Sequence, residues 1–343
     1  VKTRAGVLGV AEGVARGDLA VTASGSVPRI LEQAEDRGLW TGVVTTTTIT
    51  HATPGACYAH TPDRNWEGDA SLPAAAREAG FRDIARQLVE FAHGDGIEVA
   101  LGGGRAFFLP ATQADPEYPQ QKGARVDGRD LVAEWRSRNP AGVYAWKADQ
   151  LLAVDAATTP KLFGLFEPSH MKFEEDRATD AAGEPSLAQM TRKAIELLAR
   201  APKGYFLMVE GGRIDHAHHA GNARRALGET IELSNAVRVA RELTNADETL
   251  IVVTADHSHT FTISGYPKRG NPILGLVVGS SGESPLGTTP APDLTGLPYT
   301  TLGYANGPGY VGASDAQPEG PKRLPHFAKR YRAPKLGRPD LSD

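Results

Sequence analysis

The chain has 343 residues, 40% of them apolar, and a formal net charge of −4 at pH 7. That length is ample for one large domain or two ordinary ones, and so small a charge excludes a strong field steering the chain toward nucleic acid or an anionic membrane. No run of about 18 apolar residues marks a spanning helix, the single Cys57 cannot close an intrachain disulfide, and no signal peptide stands at Val1.

In chain order, Ser26 with Pro28 behind it reads as the cap and start of a first helix. The β-branched run Gly42–Thr48 predicts a strand. Phe81–Ala92 predicts a helix and Ile97–Leu101 a short strand, then come a helix over Asp130–Arg138 and a strand over Leu162–Phe166. Ser186–Arg200 carries the clearest helical period, with Ser186 as cap, Gln189 three residues on, and Leu187, Met190, Ala194, Leu197 and Leu198 on one face. Tyr205–Val209 predicts a strand, roughly His218–Leu243 one long helix, and Leu250–Thr254 a last strand. The alternation argues for an α/β protein with a largely buried sheet, whose strand ends gather ligands. After Thr262 glycine and proline rise and periodicity is lost. Residues 1–261 are therefore expected to form an incomplete α/β catalytic core, and 262–343 a truncated, loop-rich, crown-like insertion.

Three clusters carry metal-ligand chemistry. Glu210-Gly-Gly-Arg-Ile-Asp215-His-Ala-His-His219 follows a strand. One helical turn puts Asp215 and His219 on one face, converging on one ion, and leaves Glu210 for a neighbouring ion. Thr254-Ala-Asp256-His257-Ser-His259 offers an adjacent Asp–His pair, with His259 placed to orient a ligand. The competing reading is a helix cap by Asp256. In Thr50-His51-Ala-Thr53-Pro54, Thr53 suits a hard ion such as magnesium or else caps a helix with Pro54 at its first position. Arg64 in Arg64-Asn-Trp66 fits a bidentate grip on phosphate.

These runs, in this order, resemble the alkaline phosphatase family, as do Leu101-Gly-Gly-Gly104, Ser186-Leu-Ala-Gln-Met190 and Asn306-Gly-Pro-Gly-Tyr310. The likeness covers essentially the whole chain and leans toward the animal-type branch and its bacterial relatives. It implies a three-layer sandwich around a largely parallel sheet, and hydrolysis of small phosphate monoesters at a site of two Zn2+ and one Mg2+. Asp215 and His219 would hold the first zinc, Asp256 and His257 the second, and Thr53 and Glu210 the magnesium, with His51 and His259 beside them. Arg64 would bind the phosphate oxygens. The branch's calcium pattern falls on Glu117, the Phe166 carbonyl, Glu167 and Glu184, where Glu184 replaces an aspartate. A homodimer in the periplasm or at the cell surface also follows from the resemblance.

The departures are at the ends. The family's nucleophilic serine, in an Asp-Ser-Ala run, its shared aspartate ligand and a late zinc-binding histidine are missing, so the chain reads as a fragment of a parent that works through a phosphoserine. Alone it is expected to bind zinc weakly and turn nothing over. The alternatives are a related phosphodiesterase, sulfatase or phosphoglycerate mutase, and a metal- or phosphate-binding protein without catalysis. Nucleic-acid binding by the proline-broken basic stretch Lys322–Arg338 is not expected, since Phe327 and Tyr331 form no stacking platform.

Overall fold

The β-branched run Gly42–Thr48 forms an interior strand of the sheet, with a parallel neighbour on each side. A computed structural model describes residues 3–20, 25–264, 266–279, 290–292 and 298–305. Asn306–Tyr310 and the basic stretch Lys322–Arg338 lie outside them. The chain divides into two compact units, Val1–Arg213 with Gly228–Val253, and Ile214–Leu227 with Thr254–Asp343.

In the first unit the order is α1 (Ile30–Asp36), β1 (Trp40–Thr48), α2 (Ala52–Tyr58), α3 (Ala74–Glu78), α4 (Ile84–Val89), β2 (Val99–Gly103), α5 (Leu131–Arg138), β3 (Val143–Ala145), α6 (Ala148–Leu152), β4 (Leu162–Leu165), α7 (Leu187–Leu198) and β5 (Tyr205–Glu210). Helices α8 (Arg213–His219) and α9 (Ala223–Leu243) follow, each with residues in both units. The second unit adds an antiparallel pair, β6 (Phe261–Ile263) and β7 (Leu302–Tyr304).

The five strands lie in the order β3-β4-β2-β1-β5, every pairing parallel. Such a sheet needs cover on both faces, and two apolar clusters supply it. On one face Val43, Ala100 and Phe163 pack with Leu31 of α1, Tyr58 of α2, Ile84 and Leu88 of α4, and Leu131 and Trp135 of α5. On the other, Val44, Val99, Leu101 and Leu162 pack with Leu151 of α6, Met190, Ala194 and Leu197 of α7, and Leu233 and Ala236 of α9. Val43 and Val44 thus point to opposite faces, as strand alternation requires, and the architecture is a three-layer α/β sandwich. The cap of α7 is as its sequence predicts: Ser186 Oγ accepts the Gln189 N–H while Gln189 Oε1 accepts the Ser186 N–H.

Other boundaries move for local reasons. Asp83 accepts the Arg86 N–H and starts α4 at Ile84, shortening the helix expected from Phe81. Ser26 is bridged to Val10, so α1 is capped at Arg29 instead. His51 is the N-cap of α2, which puts Thr53 and Pro54 within the first turn. A proline there costs little because its missing N–H has no helical partner. The long helix expected from His218 is broken: Gly221 takes φ 64°, and Asn222 Oδ1 accepts the Arg225 N–H to begin α9.

One expected strand is absent. Leu250–Thr254 is irregular, with Leu250 88% and Val252 74% exposed. Among the described residues β5 pairs only with β1: the run does not pair with the open outer edge of β5, and a run without a ladder partner is not a strand.

Candidate metal and phosphate site

A parallel sheet puts all its carboxyl ends at one edge, where ligands gather. Here β1 runs out toward His51, β4 toward Glu167, and β5 ends at Glu210. The expected site residues divide between the two units: His51, Thr53, Arg64 and Glu210 in the first, and Asp215, His219, Asp256, His257 and His259 in the second.

In the first unit, β1 and β5 pair Thr45 with Glu210. Thr45 Oγ1 donates to Glu210 Oε2 at 2.6 Å and Thr47 Oγ1 at 3.3 Å. Two hydroxyls therefore fix one oxygen of the carboxylate. Gly212 makes this approach fit, since a Cβ there would lie 2.4 Å from Thr47 Cγ2 and 2.9 Å from Glu210 Oε2. Thr53 lies exposed on α2, which packs against β1 and β5. Arg64 Nη2 donates to His51 Nε2 at 3.3 Å, and the His51 ring meets His170 edge-on at 5.3 Å. Beside them Glu67 Oε2 accepts from Thr48 Oγ1 at 2.6 Å and Thr50 Oγ1 at 2.7 Å. Glu67 and His170 were not foreseen; a glutamate three residues from Arg64 was the available signal.

In the second unit the acid and imidazole groups converge on Asp215. His259 Nε2 lies 2.6 Å from Asp215 Oδ1, His257 Nε2 3.7 Å from the same oxygen, and His219 Nε2 3.4 Å from Oδ2. Asp215, His257 and His259 present ligand atoms all within 4.8 Å of one another. Asp256 turns its carboxylate to His257 at 3.6 Å and is otherwise exposed. Behind the group, His218 stacks on His259 at 4.9 Å and hydrogen-bonds Tyr304 Oη at 2.9 Å. Burial would raise the Asp215 carboxyl, but the His259 hydrogen bond and the nearby histidines outweigh it and hold it below its usual value. Burial, then His259, lowers His218. Tyr304 had no sequence signal.

One carboxylate with two or three imidazoles is a ligand set that suits zinc, and Glu210 among hydroxyls suits a hard cation. The residues expected to hold calcium fit less well. Glu117 and Glu167 do come together, but with Asp180 as third carboxylate. Glu184 Oε1 instead accepts the backbone N–H of Lys172 at 2.8 Å, and the ammonium of Lys172 sits among the acids.

The family model for alkaline phosphatase matches residues 1–332. Similar curated proteins include the tissue-nonspecific alkaline phosphatase of Gallus gallus, 46% identical over 90% of this chain and 58% of its own length, and the alkaline phosphatase of Gadus morhua, 43% identical over 90% and 63%. The chain thus spans about three fifths of these relatives. Among solved structures, the Thermus thermophilus alkaline phosphatase aligns with TM-score 0.53 and 32% identity over 71% of this chain and 42% of its own. That of the Antarctic bacterium TAB5 aligns with TM-score 0.57 and 25% identity over 78% and 65%.

Proposed function

This chain belongs to the alkaline phosphatase family, and on that premise we propose that it supplies most of the metal and phosphate site of a phosphate monoester hydrolase. The observation that carries this reading is the convergence of His219, His257 and His259 on the Asp215 carboxylate. Asp215 and His219, with Asp256 and His257, are the residues for two zinc ions, and Thr53 with Glu210 for one magnesium ion. Bound there, the ions would polarise the ester and stabilise the departing oxygen.

The chain's own residues do the rest. The Arg64 guanidinium grips two phosphate oxygens through its planar fork and offsets the charge that spreads over them. His51, 3.3 Å away, steadies it. His259 fixes one lobe of Asp215, leaving the other to face a cation. Thr45 and Thr47 do the same for Glu210. The sequence holds no Asp-Ser-Ala run, so the phosphoserine step belongs to the full-length parent, and we propose that residues 1–343 alone do not turn over. Homodimer formation and a location outside the cytoplasm are part of the same reading. Among the described residues no helix is long and apolar enough to cross a membrane.

The test is turnover by the full-length parent of a phosphate monoester, a phosphate diester and a sulfate ester, with and without Arg64→Ala. We expect the monoester to be preferred and Arg64→Ala to lower kcat/KM by roughly 10²–10³. Preference for the diester or the sulfate would overturn the reading.

A further inference from the structure

Between the end of β4 and the start of α7 the chain folds around a knot of acids that Glu117 joins from the segment between β2 and α5. Glu117, Glu167 and Asp180 bring carboxylate oxygens within 4.8 Å of one another, and the Glu117 and Asp180 side chains are 2% and 1% exposed. Isolated carboxylates packed this closely repel, and burial makes the repulsion costly. A positive charge is therefore required at their centre. The structure has one against two of them. Lys172 Nζ lies 2.7 Å from Glu167 Oε1, 2.8 Å from Asp180 Oδ1 and 2.9 Å from Tyr118 Oη. An ammonium has three donors, and all three find acceptors.

We propose that the ammonium of Lys172 is the resident cation of this cage, in place of a divalent metal. A calcium ion needs six to eight oxygens at roughly 2.3–2.6 Å. Nζ already stands within hydrogen-bond reach of the oxygens that would be first to serve, so an ion at the centre would press against a like charge. One oxygen of Glu184 is also engaged elsewhere. Its Oε1 accepts the Lys172 N–H at 2.8 Å, so it pins the main chain of the residue whose side chain fills the cage. On the far side, Arg105 Nη2 donates to Glu117 Oε2 at 3.1 Å, so a second cation of the chain faces the cage. Lys172 lies five residues after Glu167 and eight before Asp180. One loop thus carries two of the three acids and their counter-ion.

The test is calcium binding by the intact chain, measured by equilibrium dialysis against Ca2+ alone, for the native sequence, Lys172→Gln, Glu167→Gln and the double variant. We expect Glu167→Gln to leave calcium uptake by the native sequence unchanged, because the cage takes none. Lys172→Gln should gain one bound ion, with affinity raised roughly tenfold or more, as follows when a site's net charge becomes more negative, and the added Glu167→Gln should abolish the gain. Submillimolar calcium binding by the native sequence that Glu167→Gln removes would overturn the proposal, and so would a folded Lys172→Gln that takes up none. If Lys172→Gln does not fold, the comparison of the native sequence with Glu167→Gln decides alone.

Discussion

His259 Nε2 lies 2.6 Å from Asp215 Oδ1, although 44 residues separate them in the chain. The contact consumes one lobe of the carboxylate and fixes the direction of the other. Groups that orient a ligand in this way typically contribute about 10–100-fold to metal affinity. Replacing His259 with alanine should weaken zinc binding by the chain on that scale, and Asp215→Ala should weaken it further. Competition with a chromogenic chelator reads both. Equal zinc affinity in His259→Ala and the native sequence would mean that the contact does not orient Asp215.

The approach of Gly212 to Glu210 gives a second prediction. A methyl group at 212 would meet Thr47 Cγ2 at 2.4 Å and the Glu210 carboxylate at 2.9 Å. Either β1 or the carboxylate must shift. Gly212→Ala should cost about 1–3 kcal/mol of stability, the usual cost of overpacking, and should displace Glu210 from Thr45. Urea unfolding measures the first effect, and weakened magnesium protection against thermal unfolding the second. A stable variant with native magnesium response would show that the backbone gives way freely.

Stability should fall as pH rises from acid to mildly alkaline values. Burial pushes the Glu98 carboxyl up to about 8, against the attraction of Lys161 and the Thr41 N–H that donates to it at 2.6 Å. An unfolded glutamate titrates near about 4.3. Between these values the folded chain keeps a proton that the unfolded chain has released, so the folded state loses ground as pH increases. Glu184, also raised to about 8, and Glu229, raised to about 7, act in the same direction, in each case chiefly through burial. Melting temperatures from pH 5 to pH 9 should decline, and Glu98→Gln should flatten part of the slope. An unchanged slope in Glu98→Gln would assign the effect to other acids.

Arg105 is fully buried and binds Asp115 through Nε at 2.7 Å and Nη2 at 2.9 Å, while Nη1 donates to the Leu165 carbonyl at 2.8 Å. Arg105→Met would strand the Asp115 charge, and removing one partner of a buried pair costs about 3–5 kcal/mol. Arg105→Lys keeps the charge but loses the fork, and should fall between the two. Urea midpoints for the three proteins test the order.

What the sequence made legible depended on whether the information was local. The strand at β1 and the cap of α7 follow from residue types a few positions apart, and both stand where periodicity places them. The turn spacing of Asp215 and His219 is equally local, and α8 supplies it. Leu250–Thr254 failed because a strand is a property of pairs: the run has the right residues but no neighbour. The helix over His218–Leu243 failed at Gly221, where one positive φ outweighs the surrounding period. His259 was legible only as a residue beside the metal, since its partner lies on α8, 44 residues earlier in the chain. Lys172 was invisible, because a lysine between acids in a loop looks solvated until the fold closes around it. The Gly102-Gly103-Gly104 run gained its reason from the structure: a Cβ at Gly103 would lie 2.2 Å from the Ser169 carbonyl oxygen, and Gly104 takes φ 94°.

The bare segment Leu250–Val253 also bears on handling. Four aliphatic side chains in a row, with no proline or charge among them, have the composition of a sticky β segment. A sheet border with open amide and carbonyl groups, as on the outer side of β5 among the described residues, is the usual template for such a segment from another molecule. Concentrated solutions should therefore cloud by chain-to-chain β pairing before the core of either molecule melts. A single lysine at position 252 should keep them clear.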